Sequence, residues 1–218
     1  MTNPDDAPQV PGDREGQRPY VVGIGASAGG IEALKEFFHH VAPDSGAAYV
    51  VILHLSPDHD SQLAQVLQHS APIPVTQVAG HAVIKANHVY VVPPNRMLRI
   101  EGDAIEVADI TRKEERRAPV DLFFRSLADA RGSHSTAVVL SGTGPNGSSG
   151  LKRIKEYGGL VVVQDPETAK YGDMPRNSIA TGIRGRSSPL PSSARASAST
   201  PAATTSSRRA TWRACTRT

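Results

Sequence analysis

Between residues 20 and 183 the chain alternates short apolar runs with segments of helical spacing. "YVVGIG" (20–25) has the length and continuity of a buried strand, and Ile31, Leu34, Phe37 and Phe38 follow it along one helix face. "AYVVILHL" (48–55) predicts a second strand. In "SQLAQVLQHS" (61–70), Leu63, Val66 and Leu67 share a helix face. "HVYVVPP" (88–94) predicts another strand, and residues 97–108 predict a hairpin turning at Gly102 and Asp103. "VDLFFRSLADA" (120–130) predicts a helix, "STAVVLSG" (135–142) a strand, "GLKRIKEYGG" (150–159) a helix stopped by glycine, and "LVVVQD" (160–165) a strand. Strands alternating with helices predict an α/β fold: a doubly wound, mostly parallel sheet with helices on both faces, the hairpin being an antiparallel decoration.

Both ends break this pattern. Residues 1–18 are rich in Pro, Asp and Gly without periodicity and read as a disordered lead-in. The body spans 19–183, and 184–218 is a low-complexity tail in which 21 of 35 residues are Ala, Ser or Thr. Such an abrupt change of composition is what a shifted reading frame in GC-rich coding sequence produces, so the tail is a candidate frameshift product. Lacking large apolar residues apart from Leu190 and Trp212, it is expected to stay without structure and to leave the last strand's edge unpaired, with a risk of oligomerisation.

Charge adds little once the tail is set apart. Seven of the 24 basic residues and none of the 21 acids lie in 184–218, so residues 1–183 carry a net −4 although the whole chain carries +3. A mildly acidic body gives no reason to expect nucleic acid as a partner. The one cysteine, Cys215, cannot form an internal disulfide; the N-terminus has no apolar stretch of signal-peptide type, and no apolar run reaches 18 residues. These features predict a cytoplasmic protein without membrane insertion. The run "KEERR" (113–117) reads as a solvated loop or helix start, with docking of a charged partner as the alternative.

Candidate chemistry begins at "VVGIGASAGG" (21–30), which fits two patterns. Its glycines approach the G-x-G-x-x-G/A turn of dinucleotide folds, and Gly25–Gly29 also spell G-x-S-x-G, the elbow that presents a serine nucleophile. A dinucleotide fold needs an acid at the end of the second strand, where this chain has His54. An imidazole is the wrong group for a ribose and the right one for activating Ser27. Asn146, in the loop after "TAVVL", completes a Ser-His-acid-type set at the carboxyl ends of three strands, where functional residues of parallel sheets gather. The plainer alternatives are Ser27 as a helix cap and His54 as a strand-end histidine. His39, His40, His59, His69, His81, His88 and His134 show no metal-ligand spacing, so neither a metal nor an organic cofactor is expected.

Six ordered segments, "VVGIGASAGGIEAL", "VILHLSPDHDSQLAQVL", "VYVVPPN", "VDLFFRSLA", "VVLSGTGPNGSSGLKRIKEYGG" and "VVVQDPETAKYGDMPRNSIATG", resemble the catalytic domain of CheB-type protein-glutamate methylesterases, in the version found in methylesterase–methyltransferase fusions. The resemblance implies a serine esterase that hydrolyses glutamate γ-methyl esters on the cytoplasmic helices of chemoreceptors and often deamidates glutamines too, beside a methyltransferase of the same pathway. It makes Ser27 the nucleophile, His54 the general base and Asn146 the third triad member. The amides of Ala28 and Thr143 become oxyanion donors, and Met174 and Arg176 fall on a segment near the active site. Three departures stand out. Asn146 occupies the usual aspartate position, no receiver domain precedes the domain in this sequence, and the tail replaces the family's last strand. Because an amide carries no charge to support an imidazolium, a weakened recognition module is the alternative to a working esterase.

Overall fold

The computed structural model describes residues 18–53, 62–93, 95–182, 186–187 and 212–215. Its main sheet has the order β10-β11-β9-β8-β1-β2-β5-β3, from β1 (Tyr20–Ala26), β2 (Ala47–Leu53), β3 (Val75–Gln77), β5 (His88–Val91), β8 (Ser135–Val139), β9 (Leu160–Gln164), β10 (Arg186–Ser187) and β11 (Trp212–Cys215). The six strands from β9 to β3 run parallel, as the alternation of elements predicts. The chain first winds outward from β1 to β2 and β5, then returns to place β8 and β9 on the other side of β1. Strand order therefore reverses between β1 and β8, which opens a crevice at their carboxyl ends.

Alternating side chains divide the strands between two cores. Ile24, Tyr49, Val51, Val89, Val138 and Leu140 face α1 (Gly30–His39) and α2 (Leu63–Gln68), where Leu34, Phe37, Phe38 and Leu67 cover them. Val21, Val50, Ile52, Ala137, Val139, Val161 and Val163 face the opposite way, against α4 (Pro119–Arg131), α5 (Ser148–Glu156) and α6 (Asp173–Ala180). Helix α4 lies directly over β1. A Cβ added to Gly23 would sit 2.7 Å from Phe123 Cε1 and 2.8 Å from Leu127 Cδ2, and one on Gly25 would sit 2.3 Å from Val120 Cγ1. These two glycines thus serve helix packing, which accounts for two of the three small-residue positions of the dinucleotide-like pattern without any ligand.

The predicted hairpin is β6 (Arg96–Glu101) with β7 (Ala104–Asp109), and β4 (His81–Val83) joins it to make a small antiparallel sheet in the order β4-β7-β6. Leu98, Ile100 and Ile105 are buried, and the Ile100 amide donates to Ser126 Oγ on α4 at 3.2 Å. Asp103 in its turn pairs with Arg131 Nη1 at 3.0 Å, from the last turn of α4; the Arg131 side chain is only 1% exposed. The run 113–117 forms the short helix α3 (Lys113–Arg117).

One expectation is corrected. The edge of β9 is paired: β11 runs antiparallel along it with Trp212 opposite Gln164 and Cys215 opposite Val161, and β10 pairs with β11 in turn. Four tail residues supply backbone donors and acceptors, and a ladder needs no more than that. The physical ground for expecting an open edge is removed.

Candidate active site

Ser27 follows β1 directly, at the crevice. The chain turns there through Gly29, whose φ of 68° lies in the left-handed region, and α1 starts at Gly30. Gly29 is the N-cap of α1 and no side chain caps that helix, so the reading of Ser27 as a helix cap does not hold. The Gly30 amide donates to Ser27 O at 2.8 Å and closes the turn. A Cβ on Gly29 would meet Ser141 Oγ at 2.9 Å and Tyr171 Cδ2 at 3.0 Å, so the turn is closely packed as well as tight.

The loop after β8 runs alongside. The Ser27 amide donates to Ser141 O at 3.0 Å, and a Cβ on Gly142 would fall 3.1 Å from Ser27 Cβ. Thr143 is the next residue and is exposed. Neither the Ala28 nor the Thr143 amide donates to a described residue. Amides that donate to no described residue, one directly after a serine and one in the adjoining loop, are candidates for an oxyanion hole. The predicted base, His54, lies outside the described residues. The strand before it is described: β2 pairs with β1 in parallel, and its last residue, Leu53, lies opposite Ala26, the residue before Ser27.

Asn146 Oδ1 accepts from the Asp121 amide at 3.3 Å, in the first turn of α4, while Nδ2 is buried with no partner among the described residues. Asp121 returns the favour to α5, accepting from the Gly150 amide at 2.7 Å. As the amide is assigned by these contacts, its oxygen is committed to α4 and its NH₂ is the group left over. A carboxylate at this position could accept from Asp121 and still offer a second acceptor.

Met174, expected near the substrate, is wholly buried: its Sδ would sit 2.6 Å from a Cβ on Gly142 and its Cε 3.6 Å from one on Gly147. It wedges beneath the loop that carries Thr143 and Asn146, and its amide donates to Gly142 O at 3.0 Å. Arg176 is exposed and pairs with Glu167 at 3.2 Å.

Sequence reading missed the group that binds these loops together. Ser141 is 1% exposed; its hydroxyl donates to Ala28 O at 2.8 Å and accepts from the Tyr171 amide at 3.0 Å. Its amide donates to Gln164 Oε1 at 2.8 Å, and the Gly142 amide donates to Tyr171 O at 3.0 Å. One serine thereby joins the loops that follow β1, β8 and β9. The available signal was a polar residue directly after the four-residue apolar run "AVVL" (137–140), paired with a glutamine ending the next strand; neither looks unusual alone. Among the described residues no three His, Cys, Asp or Glu side chains come together as metal ligands.

With this geometry the comparisons agree. The family model for the CheB methylesterase domain matches residues 22–196. The chain belongs to the CheB methylesterase family. It is 36% identical over 162 residues to a putative protein-glutamate methylesterase/protein-glutamine glutaminase of Leptospira interrogans, covering 73% of this chain and 84% of that one. It is 30% identical over 166 residues to the protein-glutamate methylesterase/protein-glutamine glutaminase of Hydrogenovibrio crunogenus, where it spans 44% of that protein's length. The crystal structure of the Thermotoga maritima CheB methylesterase catalytic domain superposes with a TM-score of 0.68 at 27% identity, covering 75% of this chain and 89% of that one. The match extends past residue 183, where composition alone would end the domain. No helix among the described residues of this CheB-family chain is long and apolar enough to cross a membrane.

Proposed function

We propose that this CheB-family domain hydrolyses γ-methyl esters of glutamate on chemoreceptor helices, and the side-chain amide of glutamine by the same route. The observation that carries the reading is Ser27, on the turn at the β1/β8 switch point, with the amides of Ala28 and Thr143 donating to no described residue.

Ser27 Oγ attacks the ester carbonyl while His54 takes its proton. The oxyanion that forms is held by the Ala28 and Thr143 amides, fixed donors that need no rearrangement at the moment of reaction. The C–O bond to the methoxy group breaks as His54 returns the proton, releasing methanol and leaving Ser27 acylated. Water, deprotonated by His54, then attacks the acyl carbon and frees Ser27 and a glutamate carboxylate. With glutamine the leaving group is ammonia. Asn146 orients the imidazole through the second lone pair of its amide oxygen, which accepts the ring N–H without adding charge, Met174 supports the oxyanion loop from below, and Arg176 stands at its rim.

Methanol release from methylated receptor fragments tests the proposal. The chain should turn over and Ser27→Ala should abolish release; equal release from both would exclude Ser27 as the nucleophile.

A further inference from the structure

The turn and short helix between β7 and α4 form an open surface depression of about 520 Å³ lined by Thr111, Arg112, Arg116 and Arg117. All four residues are exposed, and none of the three arginines forms an ion pair with a described residue. The acid nearest in sequence among the described side chains is already engaged. Glu115 Oε2 accepts from the Arg112 amide at 3.1 Å, the Thr111 amide at 2.9 Å and Thr111 Oγ1 at 3.2 Å. Those backbone bonds, with the Arg112 charge adding to them, hold its carboxyl below the usual range, so Glu115 closes the turn and offsets part of the charge on Arg112 while Arg116 and Arg117 keep theirs. Three arginines around one depression leave like charges close together, and these repel. A planar anion that each can grip by two N–H groups relieves that repulsion.

The depression lies within a bounded distance of Ser27. Arg117 is three residues before Val120, whose side chain abuts Gly25, and Gly25 is two residues before Ser27. Fully extended links over that route bound the Arg117–Ser27 separation at roughly 25 Å. An α-helix of about 17 residues covers the same distance. A protein substrate whose esters are carried on helices of that length is long enough to span both places. Every ester the enzyme has already hydrolysed on that substrate presents a carboxylate.

We propose that the arginine-lined depression at Arg112, Arg116 and Arg117 docks glutamate carboxylates of the protein substrate, one to four helical turns from the ester presented to Ser27. The proposal rests on the esterase reading above. It makes the enzyme prefer acidic, partly demethylated helices over neutral ones, through binding and not through the chemical step.

The test uses the full chain and helical peptides bearing one glutamyl γ-methyl ester, with Glu or Gln at positions 7, 11 and 14 residues to either side. Methanol release gives KM and kcat. Anisotropy of labelled peptides carrying leucine in place of the ester, with the Ser27→Ala chain, gives binding without turnover. At least one acidic placement should lower KM about fivefold with kcat unchanged, the scale of one or two exposed ion pairs. Arg116→Gln/Arg117→Gln should erase that preference while leaving kcat and the neutral peptide's KM as they were, and the double Lys variant should recover part of it. Equal KM for acidic and neutral peptides, or a preference that survives in the Gln variant, overturns the proposal. Inorganic phosphate binding without any peptide preference would also overturn it, by showing a free-anion site. If no peptide yields methanol, the esterase reading fails, and the anisotropy series decides on the depression by itself.

Discussion

Ser141→Ala removes one oxygen atom and should damage both stability and turnover. The hydroxyl satisfies Ala28 O and the Tyr171 amide, and alanine leaves an acceptor and a donor without partners at a site where the parent residue is 1% exposed. Each orphaned group costs about 1–3 kcal/mol, so a loss of about 2–4 kcal/mol is expected. For a domain of this size each kcal/mol lowers Tm by about 2–4 °C, giving a fall of about 5–15 °C. Turnover should suffer separately. Ala28 O anchors the turn whose amide faces the oxyanion, and loosening that turn by an ångström lowers kcat by up to about 100-fold. Ser135→Ala is the control. Ser135 is also buried at the other end of β8, where its hydroxyl donates to Gly132 O at 2.6 Å. Differential scanning fluorimetry and methanol release on both variants separate the effects: both should lose Tm, and only Ser141→Ala should lose kcat. If Ser141→Ala loses Tm but keeps wild-type kcat, the serine is structural and the account of the three-loop junction is wrong.

Gly25→Ala drives a methyl to 2.3 Å from Val120 Cγ1 and should destabilise the fold by about 1–3 kcal/mol, partly recovered in the Gly25→Ala/Val120→Ala double variant; a neutral single variant in denaturant titration would contradict the packing of α4 on β1. Asn146→Asp supplies a second acceptor in place of the unpartnered Nδ2 and should raise kcat for methanol release by at least about tenfold, within the scale known for the reverse change in a serine protease; an unchanged or lower kcat in a chain with normal Tm would show that the amide is no handicap. His88, whose ring accepts from or donates to Thr76 Oγ1 at 2.8 Å, has its pKa lowered first by burial and then by Lys85. The unfolded chain therefore binds a proton more readily. His88 supports the fold above the unfolded value near 6.5 and loses that contribution as pH falls through the lower folded value. His88→Gln should flatten this part of the stability–pH curve in urea titrations at pH 5 and 7, and a slope identical to wild type would refute the assignment.

Much of this architecture could be read from residue order. A parallel strand buried on both faces must be apolar along its length, so "YVVGIG", "VVIL" and "TAVVL" identify themselves, and the helices between them show their inner faces at 3.6-residue spacing. The nucleophile turn is legible for the same reason: small residues at fixed offsets around Ser27 are a local demand of a tight strand-to-helix turn. Short strands were not legible. β3 and β4 have three residues each, too few for a period to emerge, and are held by their neighbours. Trp212–Cys215 had no strand signal because antiparallel pairing asks only for backbone groups.

Sequence by itself determined which residues are apolar, where they recur, and that a serine, a histidine and an amide follow three different strands. Only the tertiary structure decided how the two glycines of "GIG" are used, since that depends on α4, about 100 residues later, lying on β1. It also decided that Met174 supports the site from within the core, that the Asn146 oxygen belongs to α4, and that Ser141 ties three loops into one. Periodicity is a property of neighbours along the chain. Hydrogen bonds and close approaches between loops on separate strands depend on which strands the fold sets side by side.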